Sequence, residues 1–146
     1  MVNEYRTHNC GELRKENIGN EVRLSGFVQT IRNLGKMMFI DLRDEKGITQ
    51  VVVSEEANID TKDITKECTI TVIGNVVERS SKNDKIPTGD IEIIAKEIKV
   101  LGKCKNVLPF EINIDGQNVR EDLRLEYRFL DLRNEKIHKN ILLRSK

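Results

Sequence analysis

The 146-residue chain contains no tryptophan, two prolines, three cysteines and two histidines, and its aromatic residues amount to 4%. Cys10, Cys68 and Cys104 are odd in number and far apart, with no C-x-x-C pair and no histidine at ligand spacing. That arrangement excludes a disulfide framework and a cysteine-based metal centre. The three read as reduced structural thiols, as in a cytosolic protein. His8 and His138 are isolated and form no ligand cluster. Charge of one sign is also missing, since 25 Lys and Arg face 24 Asp and Glu for a net +1. A polycation that coats nucleic acid indiscriminately is thereby excluded, and any anionic partner must be met by a local arrangement of cations. The opening "MVNEYRTHNCGEL" carries charges where a signal peptide needs an apolar run, and no stretch approaches a membrane span. A cytoplasmic protein with no membrane partner is expected. Gly-rich phosphate loops, catalytic triads and metal-ligand spacings are absent as well. The chain alone is expected to bind and not catalyse, with no catalytic residue, no metal and no cofactor of its own.

What is present, 38% hydrophobic and 34% charged residues, suffices for one modest domain with a core and an appendage. "EVRLSGFVQTIR" (21–32) alternates Val22, Leu24 and Val28 against Arg23, Ser25 and Gln29, the period of a half-buried strand, with Gly26 a bulge or bend. "MMFIDLRDEKGITQVVV" (37–53) reads as two strands around a turn at "DEKG". "SEEANIDTKDITKE" (54–67) is polar and suits a short helix or loop. "CTITVIGNVVER" (68–79) and "GDIEIIAKEIKVL" (89–101) are two more strands, joined by "SSKNDKIPT". Five strands with a break after the third match the order of a five-stranded OB-fold barrel, although a small sandwich or an SH3-like barrel would show similar alternation. After Leu101 the residues change. "GKCKNVLPFEINIDGQN" has linker punctuation, and "VREDLRLEYRFLDLRNEKIHKNILLRSK" has apolar residues at helical spacings, ending inside that pattern like the front of a longer protein. The expected organisation is a barrel domain over residues 1–107 and a partly helical hinge segment over 108–146.

One strand row raises a question. Met38, Ile40 and Leu42 form an apolar row, and the opposite row is Phe39, Asp41 and Arg43, an aromatic sharing a face with two charges. A four-residue turn pairs Arg43 with Ile48, Asp41 with Gln50 and Phe39 with Val52, which sets Gln50 diagonally across from Phe39 on one face; a one-residue slip would put Gln50 with the core row instead, and the match of Met38, Ile40 and Leu42 with Thr49, Val51 and Val53 favours the first register. An open-faced ring can stack on an unpaired base, and a neighbouring amide can read the base edge; stacking contributes about 1–3 kcal/mol without choosing among bases. Gln50 can donate and accept, Glu92 can accept, and Arg32, Arg79 and Lys82 at strand ends and loops could hold phosphates. The alternatives are a Phe39 covered in a second core, solvated strand residues at 50 and 92, and ordinary surface cations.

"RTHNCGEL", "LSGFVQTIRNLGKMMFIDLRDEKGITQVV", "PTGDIEI" and "LRLEYRFLDLR" followed by "LLRSK" together resemble, in order and spacing over essentially the whole chain, the N-terminal part of bacterial-type aspartyl-tRNA synthetases of class IIb. The resemblance implies an OB-fold anticodon-binding domain and a hinge, with the catalytic domain, its ATP and its Mg beyond this chain, and a parent homodimer. It implies that Phe39 stacks on the central uracil of the anticodon GUC, that Gln50 reads it, that Glu92 helps discriminate the anticodon bases, and that Arg32 and Arg79 contact the loop. Where many members have Trp and three arginines, this chain has Phe27 and "TIR", keeping Arg32; fewer cations imply a weaker, less salt-sensitive phosphate grip. Leu34 and Lys82 stand where relatives that also charge asparagine tRNA carry His and Gly, which implies restriction to aspartate tRNA. Two other readings compete: a general single-stranded nucleic-acid-binding OB protein, which the near-neutral charge argues against, and an interaction piece using Leu123, Tyr127, Leu130, Ile137 and Ile141.

Overall fold

A computed structural model of the chain describes residues 3–112 and 119–146. Residues 113–118, part of the expected linker, lie outside the described residues. The chain divides into two compact units, Met1–Lys105 and Asn106–Lys146.

The first unit is a closed barrel of five strands, β1 (Glu21–Leu34), β2 (Met37–Arg43), β3 (Ile48–Ser54), β4 (Thr69–Glu78) and β5 (Ile91–Gly102), in the order β1-β2-β3-β5-β4. β3 and β5 pair in parallel and the other pairs are antiparallel. The aliphatic half of each alternating pattern fills the interior: Val22, Leu24 and Val28 of β1, Ile40 and Leu42 of β2, Val51 and Val53 of β3, Ile70, Val72 and Val76 of β4, and Ile91, Ile93 and Ala95 of β5 are buried together. Cys10 and Leu13 belong to the same core. Their segment is fastened to the β2–β3 hairpin, where the Cys10 N–H donates to Asp44 Oδ2 of the turn at 2.7 Å and Thr49 Oγ1 of β3 donates to the Cys10 carbonyl. The polar stretch after β3 forms one short 3-10 turn, Glu55–Ala57, closed by Asn58 in the left-handed region at φ 51°.

The expected bulge is displaced from Gly26. Gly26 pairs regularly with Ile70, and a Cβ built there would lie 2.4 Å from the carbonyl oxygen of Arg43, so close backbone approach is what requires a glycine. The register shift between β1 and β2 falls instead between Val28 and Thr30, leaving Gln29 as the extra residue. One inserted residue reverses the phase of the strand, so Ile31 packs against the core while Thr30, Arg32 and Leu34 share the outward row.

Among its described residues the second unit has three helices, α1 (Glu121–Glu126), α2 (Arg128–Asp131) and α3 (Glu135–Ser145). Asn134 caps α3 by accepting from the Lys136 and Ile137 N–H groups and also donates to the Ile112 carbonyl at 2.7 Å. Arg124 pairs with Asp131 at 3.0 Å, and that hydrogen bond raises its already high pKa further. Of the apolar residues singled out there, Leu130 is buried, Leu123, Tyr127 and Ile137 are half-buried, and Ile141 is exposed. No described helix is long and apolar enough to cross a membrane.

Candidate nucleic-acid interface

Strand registers arrange the outward side chains of β1, β2, β3 and β5 as a grid. Arg32 pairs with Phe39, Phe39 with Val52 and Val52 with Ile94, which makes one row across four strands. Two residues away along the strands, Thr30 pairs with Asp41 and Asp41 with Gln50. Gln50 continues this second row to Glu92, its Nε2 donating to Glu92 Oε2 at 2.8 Å. The expected hairpin register is the observed one, and Gln50 does share a face with Phe39.

The candidate groups are tied to one another. Arg32 Nη2 donates to Gln50 Oε1 at 2.9 Å, while the Arg32 guanidinium carbon lies 5.7 Å from the centre of the Phe39 ring. The Arg32 side chain is 50% exposed, so this cation–π contact belongs to the weak, solvated class, about 0.5–1 kcal/mol. Phe39 is half-buried and stands outside the core cluster. Its ring is not bare, because the guanidinium shares its surface. Gln50 is 4% exposed and Glu92 9% exposed, so the alternative of solvated strand residues at these positions does not hold. Closure of β3 onto β5 buries them; each satisfies the other, and Arg32 completes the amide. The Gln50 amide therefore has a defined orientation, oxygen towards the cation and nitrogen towards the carboxylate.

The remaining candidates are placed as follows. Leu34 lies two residues beyond Arg32 on the same row and is 64% exposed, opposite Met37. Arg79 follows β4, where Val77 pairs with Glu92; its N–H donates to the Asp90 carbonyl at 2.9 Å, and its buried Nε has no hydrogen-bond partner. Lys82 pairs with Glu78 at 3.1 Å, a hydrogen bond that raises the ammonium pKa. Arg32, Phe39, Gln50 and Glu92 thus form one connected cluster, and no hydrogen bond or ion pair described here joins Leu34, Arg79 or Lys82 to it.

Two residues of this face escaped the sequence reading as site residues, Thr30 and Asp41. Thr30 Oγ1 donates to Asp41 Oδ2, and Asp41 Oδ1 lies 3.7 Å from Arg32 Nη2. Their pairing depends on the extra residue at Gln29. The available signal was the break in alternation between Val28 and Ile31. Next to them on the same strands, Arg43 lies 5.8 Å from the Phe27 ring centre and forms a 2.8 Å ion pair with Glu67, both side chains 10% exposed. Among the described residues no group of three or more His, Cys, Asp or Glu side chains could hold a metal ion.

A five-strand barrel of this order, with an aromatic and hydrogen-bonding side chains together on its outer face, defines an OB-fold module of the nucleic-acid-binding class. The chain belongs to the family described as OB-fold nucleic acid binding domain, whose model matches residues 22–101. It is 47% identical to an aspartate–tRNA ligase of Streptomyces coelicolor over 99% of this chain and 25% of that protein. An aspartate–tRNA(Asp/Asn) ligase of Gluconobacter oxydans is 46% identical with the same coverage. Among solved structures, asparaginyl-tRNA synthetase of Pyrococcus horikoshii complexed with asparaginyl-adenylate superposes with a TM-score of 0.71 at 29% identity, over 88% of this chain and 29% of that one. The chain spans about a quarter of the length of the curated relatives it matches.

Proposed function

We propose that this barrel face reads the anticodon of aspartate tRNA, as the N-terminal module of an enzyme that attaches aspartate to that tRNA with ATP. The observation that carries the reading is the joined cluster of Phe39, Arg32, Gln50 and Glu92, in which a stacking ring adjoins an amide held in one orientation. The ring supplies affinity without base choice, and the amide, with the carboxylate behind it, supplies the choice. Arg79 and Lys82, on the connection from β4 to β5, reach the phosphates of the loop. Resemblance to aspartate–tRNA ligases supports the substrate, and ATP and Mg would act in the part of those relatives that this chain does not match. A homodimeric parent in the cytoplasm completes the proposal.

Leu34 and Lys82 direct the module to aspartate tRNA alone. The relatives' names include both aspartate–tRNA ligases and aspartate–tRNA(Asp/Asn) ligases, so this finer reading rests on the two residues. The combined Leu34→His and Lys82→Gly exchange should then bring an asparagine-tRNA anticodon loop closer in affinity to the aspartate loop; unchanged affinities would remove both residues from the specificity account.

The main test is a titration of the 146-residue chain with an anticodon stem-loop bearing GUC and with one whose central uracil is replaced. Tighter binding of the GUC loop is expected, and Phe39→Ala should weaken it by about 1–3 kcal/mol. Equal affinity for both loops would favour a general single-strand binder; no binding of either would favour a protein-interaction piece.

A further inference from the structure

Asp41 stands in the middle of this face with no part in the reading above. Its Oδ2 accepts from Thr30 Oγ1, and its Oδ1 lies 3.7 Å from the same Arg32 nitrogen that donates to Gln50 Oε1 at 2.9 Å. Asp41 and Gln50 are cross-strand partners, so the guanidinium sits over the space between a carboxylate and an amide. A half-exposed arginine stem has considerable rotamer freedom, and a single surface ion pair at this distance is worth little by itself. Here three groups act on one guanidinium: the Phe39 ring, the Gln50 oxygen and the Asp41 carboxylate. Thr30, from the strand that also carries Arg32, holds that carboxylate in place.

We propose that Asp41, anchored by Thr30, is a positioning residue that keeps Arg32 against the Gln50 oxygen and so fixes which edge of the amide a base meets. The Gln50 amide can in principle present either end. Glu92 ties down the nitrogen end, and Arg32 the oxygen end. With Arg32 released, only one of the two ties remains and the amide loses part of its preference. The carboxylate also adds a negative charge to this face, which lowers its affinity for any RNA irrespective of sequence. Asp41 therefore exchanges general affinity for selectivity.

This rests on the face being an anticodon reader, and the test separates the two claims. Asp41→Asn keeps the shape of the side chain and removes its charge. Its discrimination between the GUC stem-loop and the loop with a replaced central uracil should fall by about fivefold to tenfold, with affinity for the replaced loop unchanged or higher. A residue that served folding alone would lower both affinities together and leave their ratio as in the wild type. Thr30→Val, which removes only the anchor, should shift the ratio the same way by a smaller factor, and it carries the test if Asp41→Asn does not fold. If Phe39→Ala weakens GUC binding while both variants keep the wild-type ratio, the positioning role is overturned and the reader stands. If Phe39→Ala leaves binding untouched, the reader and the positioning role fall together.

Discussion

A phenylalanine among charges on an outer strand row leaves apolar surface that something must share, and the Arg32 guanidinium does so at 5.7 Å. In the proposed complex a base would compete with the guanidinium for that ring. Stacking at about 1–3 kcal/mol exceeds an exposed cation–π contact at about 0.5–1 kcal/mol, so a stacked base would displace the cation from the ring face. Strand period, turn length and the match of the two apolar rows put Gln50 beside Phe39, whereas its burial is not legible in the sequence, because its partner Glu92 lies 42 residues away. The cysteines carry a separate prediction. Burial, and then the charge of Asp44, push the Cys10 thiol pKa far up, and burial raises that of Cys68. A folded pKa above the unfolded one, about 8.5, gives stability that is complete below that value and lost as pH rises beyond it. The urea midpoint should fall between pH 8 and pH 10 (on the order of the unfolded thiol's range), and less steeply in Cys10→Ala than in the wild type. Parallel declines in the two proteins would mean that other groups govern the alkaline loss.

Among the elements, β1 carries most of the information that a strand pattern hides. Its first half pairs with β4 and its second half with β2, and both pairings meet near Gly26 and Phe27. Gly26→Ala would press a methyl group to 2.4 Å from the Arg43 carbonyl. Backbone cannot yield there as a flexible side chain would, so a loss of about 1–3 kcal/mol is expected in urea denaturation. An unchanged midpoint would show that β1 and β2 can separate at this point at little cost. The glycine was legible as a special position in the sequence, but its reason was not, since a bulge and a close approach leave the same mark. Gln29, the residue actually inserted, carries no such mark. Its effect is nevertheless decisive for the site: an uninterrupted pairing from Val28 and Leu42 would set Thr30 opposite Ile40, facing the core, and would leave Asp41 without its hydroxyl partner.

Over the whole molecule, near-neutral charge and a few cations around one apolar platform predict a modest electrostatic share in binding. Each phosphate neutralised on a single strand contributes about −0.7 to the logarithmic salt slope. With two or three such contacts, a fourfold rise in salt should weaken the GUC stem-loop by only about tenfold. A loss of about a thousandfold or more over that range would instead reveal an extensive phosphate grip and favour a general single-strand binder. Local order along the chain was enough to determine the five strands, the β2–β3 register and the aliphatic core, because alternation with period two and a turn of fixed length are properties of neighbouring residues. The resemblance carried by its motifs likewise required only the sequence. Only the tertiary structure decided that Gln50 and Glu92 are buried partners, that Arg32 lies on the ring instead of standing free, and that Thr30 joins the face as the partner of Asp41. Those contacts depend on closure of β3 against β5 and on one inserted residue between β1 and β2, and pairings between distant segments are not written in the period of any one of them.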